Sequence, residues 1–364
     1  MNGGKRRIEL GLLYSRSGGY SLISEASRTG ALAAIAAVNG DPSLDLSFAP
    51  VERDPGGNAD AYGPSCDDIL RNSGARHVIG CVTSWSRKEV IPVLERHGGT
   101  LWYPLPYEGF EASDHVVYTH ACPNQHLLPL LDWAMPAHGR RAYLTGSNYI
   151  WGWEMNRLAR EYVTAASGEI LGERYLPLGS RDVGRMVEEI RHARPAFVLN
   201  NLVGTSTYEF LEAMHRLAEE DNAFAPQRCP ILSCNLTEAE FPALKYAADG
   251  LVAAGPYFRG ATGWPGSDRF ASSHEAAAYA AVRELARMLN GRPGAEELPL
   301  GTLLQQSPGG VIDAATHHTS LPVLIARVED GAFRTVKSLP AVAGDPYLTR
   351  SRPADGALGL RVVS

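Results

Sequence analysis

The chain has 364 residues, of which 45% are hydrophobic and 20% charged, and its formal net charge is −6 at pH 7. This apolar fraction excludes a disordered chain, and only five cysteines in such a length exclude a disulfide-rich secreted scaffold. The negative charge balance argues against direct nucleic-acid binding, which depends on basic residues that neutralise phosphates. At about 150 residues per domain, the length predicts two domains or one large α/β unit.

Short β-rich segments alternate with amphipathic helical segments along the chain. In the first third, strands are predicted at 8–14, 44–51, 77–81 and 100–103, with helices at 24–39, after Asn58 and at 86–96. The same order then recurs, with helices at 125–137, 154–166, 183–192 and 206–219 and strands at 142–145, 170–176, 196–200 and 230–233. Strands separated by helices at this spacing predict parallel sheets covered by helices.

Two successive α/β units of about 120 residues each predict a protein with two lobes. The remaining third holds a predicted helix at 274–289 and strands at 323–328 and 333–336, which is too little for a third α/β domain. We expect it to complete both lobes. The predicted first lobe is 1–121 with about 252–325, the second is 122–251 with about 326–350, and 351–364 is a tail.

Motifs for catalysis and for cofactors are missing from the sequence. It has no phosphate-binding G-x-x-x-x-G-K-[ST] loop, no G-x-S-x-G nucleophile motif and no H-E-x-x-H zinc motif. The segment 17–21 lacks the G-x-G-x-x-G spacing of a dinucleotide site, and no C-x-x-C pair is found. His317 and His318 are adjacent, so on an extended segment their side chains point in different directions. The sequence therefore predicts no enzyme, no cofactor and no metal.

Candidate binding residues of the first lobe lie in loops that follow predicted strands, where open α/β sheets bind ligands. The first such loop contains Val82, Thr83 and Ser84. Thr83 and Ser84 can begin a helix, whose free N–H groups suit a carboxylate, amide or urea oxygen, although a purely capping role fits this segment equally well. The next loop adds Tyr103 and Leu105 in a segment dense in aromatic residues and proline, which predicts a rigid apolar wall.

The second lobe offers a similar set of loops. Tyr149 and Trp151 follow the strand at 142–145, Thr205 follows the strand at 196–200, and Leu236 follows the last strand of this unit. Core packing accounts equally well for each aromatic residue taken alone. Two facing walls with a few polar groups, however, are typical of a small-molecule cleft.

Several motifs resemble those of amide-sensing regulators of aliphatic amidase operons, which are related to the receptors for branched-chain amino acids and urea. The most specific is the segment 103–111, which reads YPLPYEGFE. The others are Gly80-Cys81, Ser84, Arg87-Lys88, and the segments 53–57 (RDPGG), 123–125 (PNQ), 146–150 (GSNYI), 203–205 (VGT), 237–240 (TEAE) and 316–319 (THHT). The resemblance extends from about residue 8 to residue 348.

The resemblance implies a type I periplasmic-binding-protein fold, with two Rossmann-like lobes joined by three crossings that close on a ligand. It implies that Ser84 holds this ligand through its hydroxyl and backbone N–H, with Tyr103 and Tyr149 at the border and Trp151 in place of a pocket tyrosine. This sequence differs at two positions, with Val82 in place of a tyrosine and Leu105 in place of a threonine. Both changes predict a more apolar pocket and, as its ligand, a larger or more apolar amide or a different small molecule.

The resemblance favours a ligand sensor that regulates gene expression through a protein partner, an RNA-binding antiterminator. The alternative is the substrate-binding component of an ABC importer for amides, urea or branched-chain amino acids. Only residues 10–13 form an apolar run behind the basic start of the chain, so we expect a cytoplasmic protein, or a periplasmic one if a leader has been removed. A second copy of the chain is a further candidate partner, and no segment is predicted to cross a membrane.

Overall fold

The computed structural model describes residues 4–261 and 269–350, which form two sheets covered by helices. The first sheet is parallel, with its strands in the order β2-β1-β3-β4-β5. Its strands are β1 (Arg6–Leu13), β2 (Leu46–Arg53), β3 (His77–Gly80), β4 (Thr100–Tyr103) and β5 (Val116–Tyr118). The central strands β3 and β4 are buried along their whole length, as expected of parallel strands with helices on both faces.

The second sheet has seven strands in the order β12-β11-β10-β9-β8-β6-β7. These are β6 (Arg141–Ser147), β7 (Glu169–Leu176), β8 (Phe197–Asn201), β9 (Ile231–Ser233), β10 (Val252–Gly255), β11 (Leu321–Glu329) and β12 (Ala332–Val342). Strands β6 to β10 pair in parallel, whereas β11 is antiparallel to both β10 and β12. An antiparallel hairpin therefore ends an otherwise parallel sheet.

Helices cover both sheets. Those of the first lobe are α1 (Ser21–Gly40), α2 (Tyr62–Asn72), α3 (Ser84–His97), α9 (Ser273–Leu289) and α10 (Leu300–Gln305). Those of the second lobe are α4 (Leu127–His138), α5 (Ile150–Ala165), α6 (Gly184–Ala193), α7 (Thr205–Glu220) and α8 (Phe241–Leu244). This α/β architecture of two lobes with largely parallel sheets confirms the predicted fold class.

The chain passes between the two lobes three times, between β5 and α4, between β10 and α9, and between α10 and β11. Helix α9 belongs to the first lobe because it packs along α1. The contact is close at Gly30, where an added Cβ would lie 2.1 Å from the carbonyl oxygen of Glu275. Glycine at this position therefore allows the two helix backbones to touch.

The lobe boundaries in the structure differ from the predicted ones at strands β10 and β11. A first lobe that includes 252–325 would contain β10 and most of β11, but both strands pair in the second sheet. The sequence pattern does not predict β10, whose Val-Ala-Ala-Gly sequence has only one β-branched residue, and it does not predict the three-residue β5. The predicted tail 351–364 lies outside the described residues.

The five cysteines are all buried and free, as expected of reduced thiols in an apolar core. Within the described ranges, no helix is both long and apolar enough to cross a bilayer. Among those same residues, no cluster of three or more histidine, cysteine or acidic side chains could hold a metal ion.

Candidate ligand-binding site

A cavity of about 30 Å³ lies between the two lobes, at the carboxyl ends of the parallel strands of both sheets. The first lobe contributes Ile23, Val82, Ser84, Tyr103, Leu105, Pro106 and His274 to its lining. The second lobe contributes Tyr149, Trp151, Val203 and Asn235. Most of these side chains are apolar or aromatic, with a few polar groups among them, which is the usual composition of a small-molecule site. The volume is small because the two walls touch.

Helix α3 begins at the cavity wall. Its cap is Thr83, whose side-chain oxygen accepts a hydrogen bond from the Ser86 backbone N–H at 3.1 Å. The Ser86 hydroxyl oxygen in turn accepts hydrogen bonds from the backbone N–H groups of Val82 and Thr83. The first N–H groups of the helix, at Ser84 and Trp85, have no intrahelical partner, as in every α-helix. They form a donor site at the positive end of the helix dipole.

Behind Ser84 lies a buried ionic cluster of Arg87, Glu108 and Glu111. The Ser84 hydroxyl donates a 2.6 Å hydrogen bond to Glu108 Oε2, and Arg87 Nη2 donates one of the same length to Glu108 Oε1. Arg87 Nε also donates to Glu111 at 2.7 Å. The side chains of Arg87 and Glu108 are 0% and 1% exposed, so this pair is shielded from water. Paired and hydrogen-bonded in this way, the charges avoid the full penalty of burial.

Ion pairing shifts the pKa values of the charged groups in this cluster. Burial alone would raise the pKa of Glu111, but the Arg87 guanidinium and the Lys88 ammonium lower it to about 2. Burial alone would lower the pKa of Arg87, and the two glutamates instead raise it well above its usual value. The guanidinium also lies 4.7 Å from the ring centre of Tyr103 and 4.8 Å from that of Tyr107, within the range of cation–π attraction.

The second-lobe wall is formed by residues that follow three strands, β6, β8 and β9. Tyr149 precedes the first turn of α5, which places Trp151 at the start of that helix. Trp151 is buried, and its indole Nε1 has no hydrogen-bond partner among the described residues. Asn235 lies in the loop after β9, where the Ser233 hydroxyl accepts from the backbone N–H groups of Asn235 and Leu236 and fixes the turn.

His274 closes the cavity from α9. Burial lowers the pKa of His274 to about 3, so the imidazole is neutral near pH 7. Its Nδ1 lies 3.3 Å from the Thr237 hydroxyl of the second lobe, and its buried Nε2 has no hydrogen-bond partner within the described ranges. The histidine therefore joins the two lobes and keeps one ring nitrogen available.

A second contact between the lobes lies at Gly19 and Thr205. The backbone N–H of Thr205 donates a 3.0 Å hydrogen bond to the carbonyl oxygen of Gly19. Gly204, just before it, has φ of 61°, and a Cβ there would lie 2.1 Å from the same carbonyl oxygen. Only glycine fits this position when the lobes are in contact.

Six of the nine predicted binding residues line the cavity: Val82, Ser84, Tyr103, Leu105, Tyr149 and Trp151. The other three lie outside the lining. Thr83 serves as the α3 cap, Thr205 contacts Gly19, and Leu236 packs in the core of the second lobe. That any of these residues binds a ligand stays a prediction.

Five lining residues were not predicted. Pro106 and Val203 lie inside loops that the sequence had singled out, and Asn235 is the neighbour of the predicted Leu236. Ile23 and His274 are on the packed helices α1 and α9. No local motif marks them, because they reach the cavity only through the packing of those helices.

Known proteins share the architecture described above. Residues 8–290 match the model of the family described as periplasmic binding protein domain. A solute-binding protein of an ABC transporter from Rhodopseudomonas palustris, solved with 4-hydroxybenzoate, is 16% identical with a TM-score of 0.78, covering 95% of this chain and all of that chain. Another from that organism, solved with benzoate, is 16% identical with a TM-score of 0.78, covering 94% of this chain and 99% of that one.

An amino-acid ABC transporter substrate-binding protein from Pseudomonas fluorescens Pf-5 is 15% identical with a TM-score of 0.75 and covers 96% of this chain and 99% of that one. At such identities these structures show a shared fold. They are binding proteins by description, whereas the absence of catalysis in this chain stays a prediction. Since the family model spans most of the sequence, the chain belongs to the periplasmic binding protein family.

Proposed function

We propose that this protein is the solute-binding component of an ABC importer and holds a small organic molecule between its lobes. The observation that carries the proposal is the cavity at the strand ends, walled by residues of both lobes. Such a site couples binding to closure, because a ligand that touches both walls stabilises the closed arrangement. The solute-binding proteins named above share this fold over nearly the whole chain.

The chemistry of the lining favours a largely apolar molecule that can pack against aromatic side chains. Tyr103, Tyr149 and Trp151 supply aromatic surface, while Val82 and Leu105 carry no polar group. Two of the similar structures are described as complexes with benzoate or 4-hydroxybenzoate. We therefore place small aromatic compounds, together with their amides, first among candidate ligands, ahead of urea and short amides.

The importer role replaces the regulator role that the sequence motifs favoured. The family match and the solved neighbours support solute binding and give no support to an antiterminator partner. As an importer component the protein would act outside the cytoplasmic membrane, so the cytoplasmic location becomes the less favoured expectation. Fractionation of cells that express the native gene tests this point, with the protein expected in the periplasm.

A thermal-shift screen of the purified protein tests binding itself. Aromatic acids, amides, ureas and amino acids are the compounds to compare, since a bound ligand raises the melting temperature. The best compound is then titrated calorimetrically into the wild type, Trp151→Phe and Trp153→Phe. Trp151→Phe removes the unpartnered indole N–H of the cavity and should weaken binding by roughly tenfold.

Trp153→Phe is the matched control, because Trp153 is on the same helix, is 47% exposed and does not line the cavity. Its affinity should equal that of the wild type. No melting shift from any compound class, or equal affinities in all three proteins, would contradict a binding function at this cavity.

A further inference from the structure

The hydroxyl proton of Ser84 is committed to the protein interior. Glu108 forms an ion pair with Arg87, and an ionised carboxylate only accepts hydrogen bonds. The 2.6 Å contact between Ser84 Oγ and Glu108 Oε2 therefore has Ser84 as the donor. Its length is that of a charge-assisted O–H···O⁻ bond. Towards the cavity, Ser84 Oγ can therefore act only as a hydrogen-bond acceptor.

Tyr103 is arranged in the same way. Its hydroxyl donates to the backbone carbonyl oxygen of Val82 at 3.1 Å, so its proton also points into the framework. Ser84 and Tyr103 are both nearly inaccessible to solvent, at 2% and 1% exposed, and both line the cavity. This corner consequently presents two hydroxyl oxygens as acceptors beside the backbone N–H groups at the start of α3.

No charged side chain in the described lining of the cavity can pair with a negatively charged ligand. Among the described residues that line the cavity, none is Lys, Arg, Asp or Glu, and His274 is neutral near pH 7 because burial lowers its pKa to about 3. The Arg87 guanidinium does not line the cavity; it binds Glu108 through Nη2 and Glu111 through Nε, and its Nη1 has no hydrogen-bond partner among the described residues. A carboxylate placed at Ser84 could accept hydrogen bonds from the first backbone N–H groups of α3, but its other lone pairs would face those of the two hydroxyl oxygens, and no charged side chain of the described lining would neutralise it.

We propose that the Ser84 corner selects an uncharged ligand group that donates a hydrogen bond from N–H or O–H, and that Glu108 sets this preference by holding the Ser84 proton. Glu108 is thus a positioning residue that acts through Ser84. The proposal rests on the solute-binding function above and defines the ligand chemistry at one end of the same cavity.

Three probes with one ring test the preference: benzamide, benzoate and N,N-dimethylbenzamide. Benzamide is uncharged and carries N–H donors, benzoate has neither property, and the dimethyl compound is uncharged without a donor. By calorimetry, benzamide should bind the wild type at least about tenfold more tightly than either of the others. Benzoate or the dimethyl amide binding as tightly as benzamide overturns the proposal, and so does undetectable binding of benzamide.

Two variants test the part played by the proton. In Glu108→Gln the side-chain amide can donate to Ser84 Oγ and release the serine proton to the cavity, so the benzamide-to-benzoate preference should fall by about tenfold through tighter benzoate binding. In Ser84→Ala the preference should fall through weaker benzamide binding alone. If Glu108→Gln does not fold, the benzamide-to-benzoate preference of Ser84→Ala tests the proposal. A preference that stays at the wild-type value in the folded variants overturns the proposal.

Ser43→Ala is the matched control. Ser43 also donates a 2.6 Å hydrogen bond to a carboxylate, that of Asp41, but in an exposed turn that is no part of the cavity lining. Its probe preference should equal that of the wild type. If the screen finds a cavity ligand whose binding Trp151→Phe weakens while benzamide shows no preference, this inference fails and the solute-binding function stands. If no compound binds, the solute-binding function fails.

Discussion

The two walls of the cleft are backed by buried carboxyl groups in opposite states. Behind Ser84, Arg87 and Lys88 hold the pKa of Glu111 at about 2 in spite of its burial. In the loop beyond Asn235, burial raises the pKa of Glu238 to about 7 and that of Glu240 to about 8. Within the described part of the chain, Glu238 accepts a 2.6 Å hydrogen bond from the Arg259 backbone N–H, and no cation lowers the pKa of Glu240.

The comparison shows that burial alone does not decide whether a carboxyl group is charged. A guanidinium within hydrogen-bonding distance outweighs the loss of water on the Ser84 side. On the loop side desolvation dominates, because no described cation pairs with Glu240 and the Arg259 charge offsets the burial of Glu238 only in part. One wall therefore rests on a fixed ionic cluster, and the other rests on groups whose charge changes near neutral pH. Arg87→Met and Glu240→Gln test this difference, and Gly204→Ala tests the contact that joins the two walls.

The largest effect is expected for Arg87→Met. Removing the guanidinium leaves Glu108 and Glu111 buried without their main partner, so the free energy of unfolding at pH 7 should fall by about 3–5 kcal/mol. Urea denaturation measures it. Lys88→Met is the control, since Lys88 pairs with the same Glu111 but is 44% exposed and should cost less than about 1 kcal/mol. If both variants lost the same free energy of unfolding, the buried Arg87 pairs would not stabilise the Ser84 wall more than an exposed ion pair does.

Glu240→Gln should have the next largest effect, and it depends on pH. A carboxyl with a higher pKa in the folded than in the unfolded state binds its proton more tightly when folded, so stability falls as pH rises from about 4.5 to about 8. The amide does not titrate and can still accept the hydrogen bond from the Thr237 N–H. Relative to the wild type, the variant should gain roughly 2–4 kcal/mol between pH 5 and pH 8.

Denaturation at several pH values gives this profile. The exposed Glu212→Gln on α7 is its control and should leave the slope unchanged. Glu111 has the opposite sign, because its lowered pKa contributes stability that is lost as pH falls from about 4.5 to about 2. A Glu240→Gln profile parallel to that of the wild type would show that the loop carboxyl is not desolvated.

Gly204→Ala should have the smallest of the three effects, and it acts where the two walls meet. The added Cβ would overlap the carbonyl oxygen of Gly19, so the lobes could not reach the described contact. The best compound from the screen should bind about tenfold more weakly, and small-angle scattering should give a larger radius of gyration. Gly184→Ala, at the open start of α6, should change neither quantity. Unchanged affinity in both variants would mean that binding does not need this contact.

The alternating pattern of the chain was enough to predict two α/β lobes, because most strands and helices are long and amphipathic. Lobe boundaries were harder, since β11 belongs to the second sheet through its pairing with β10, a segment about 70 residues away. Such pairings leave no local signal. The sequence around α9 predicts a helix well but does not say which lobe it covers.

The candidate site was predictable where it lies in loops after strands, as Ser84 and Trp151 show. The hydrogen-bonded ionic cluster behind Ser84 could not be predicted from the sequence. Arg87 and both glutamates lie in the segments 87–88 and 103–111 that carry the resemblance, but neither the Ser84–Glu108 hydrogen bond nor the pairing of Arg87 with both glutamates follows from spacing. The pattern predicts which residues reach the cleft, and only the folded geometry says which proton each one can give.

The position of α9 has a consequence for biosynthesis. Helix α1 is covered by α9, and more than 230 residues, including most of the second lobe, separate Gly40 from Ser273 in the chain. During translation the first lobe therefore exposes the apolar face of α1 until α9 leaves the ribosome. The second lobe meets a similar delay, because β11 and β12 are made later still. The two lobes thus reach their native form late and together, and nascent chains that end before residue 289 should depend most on chaperones.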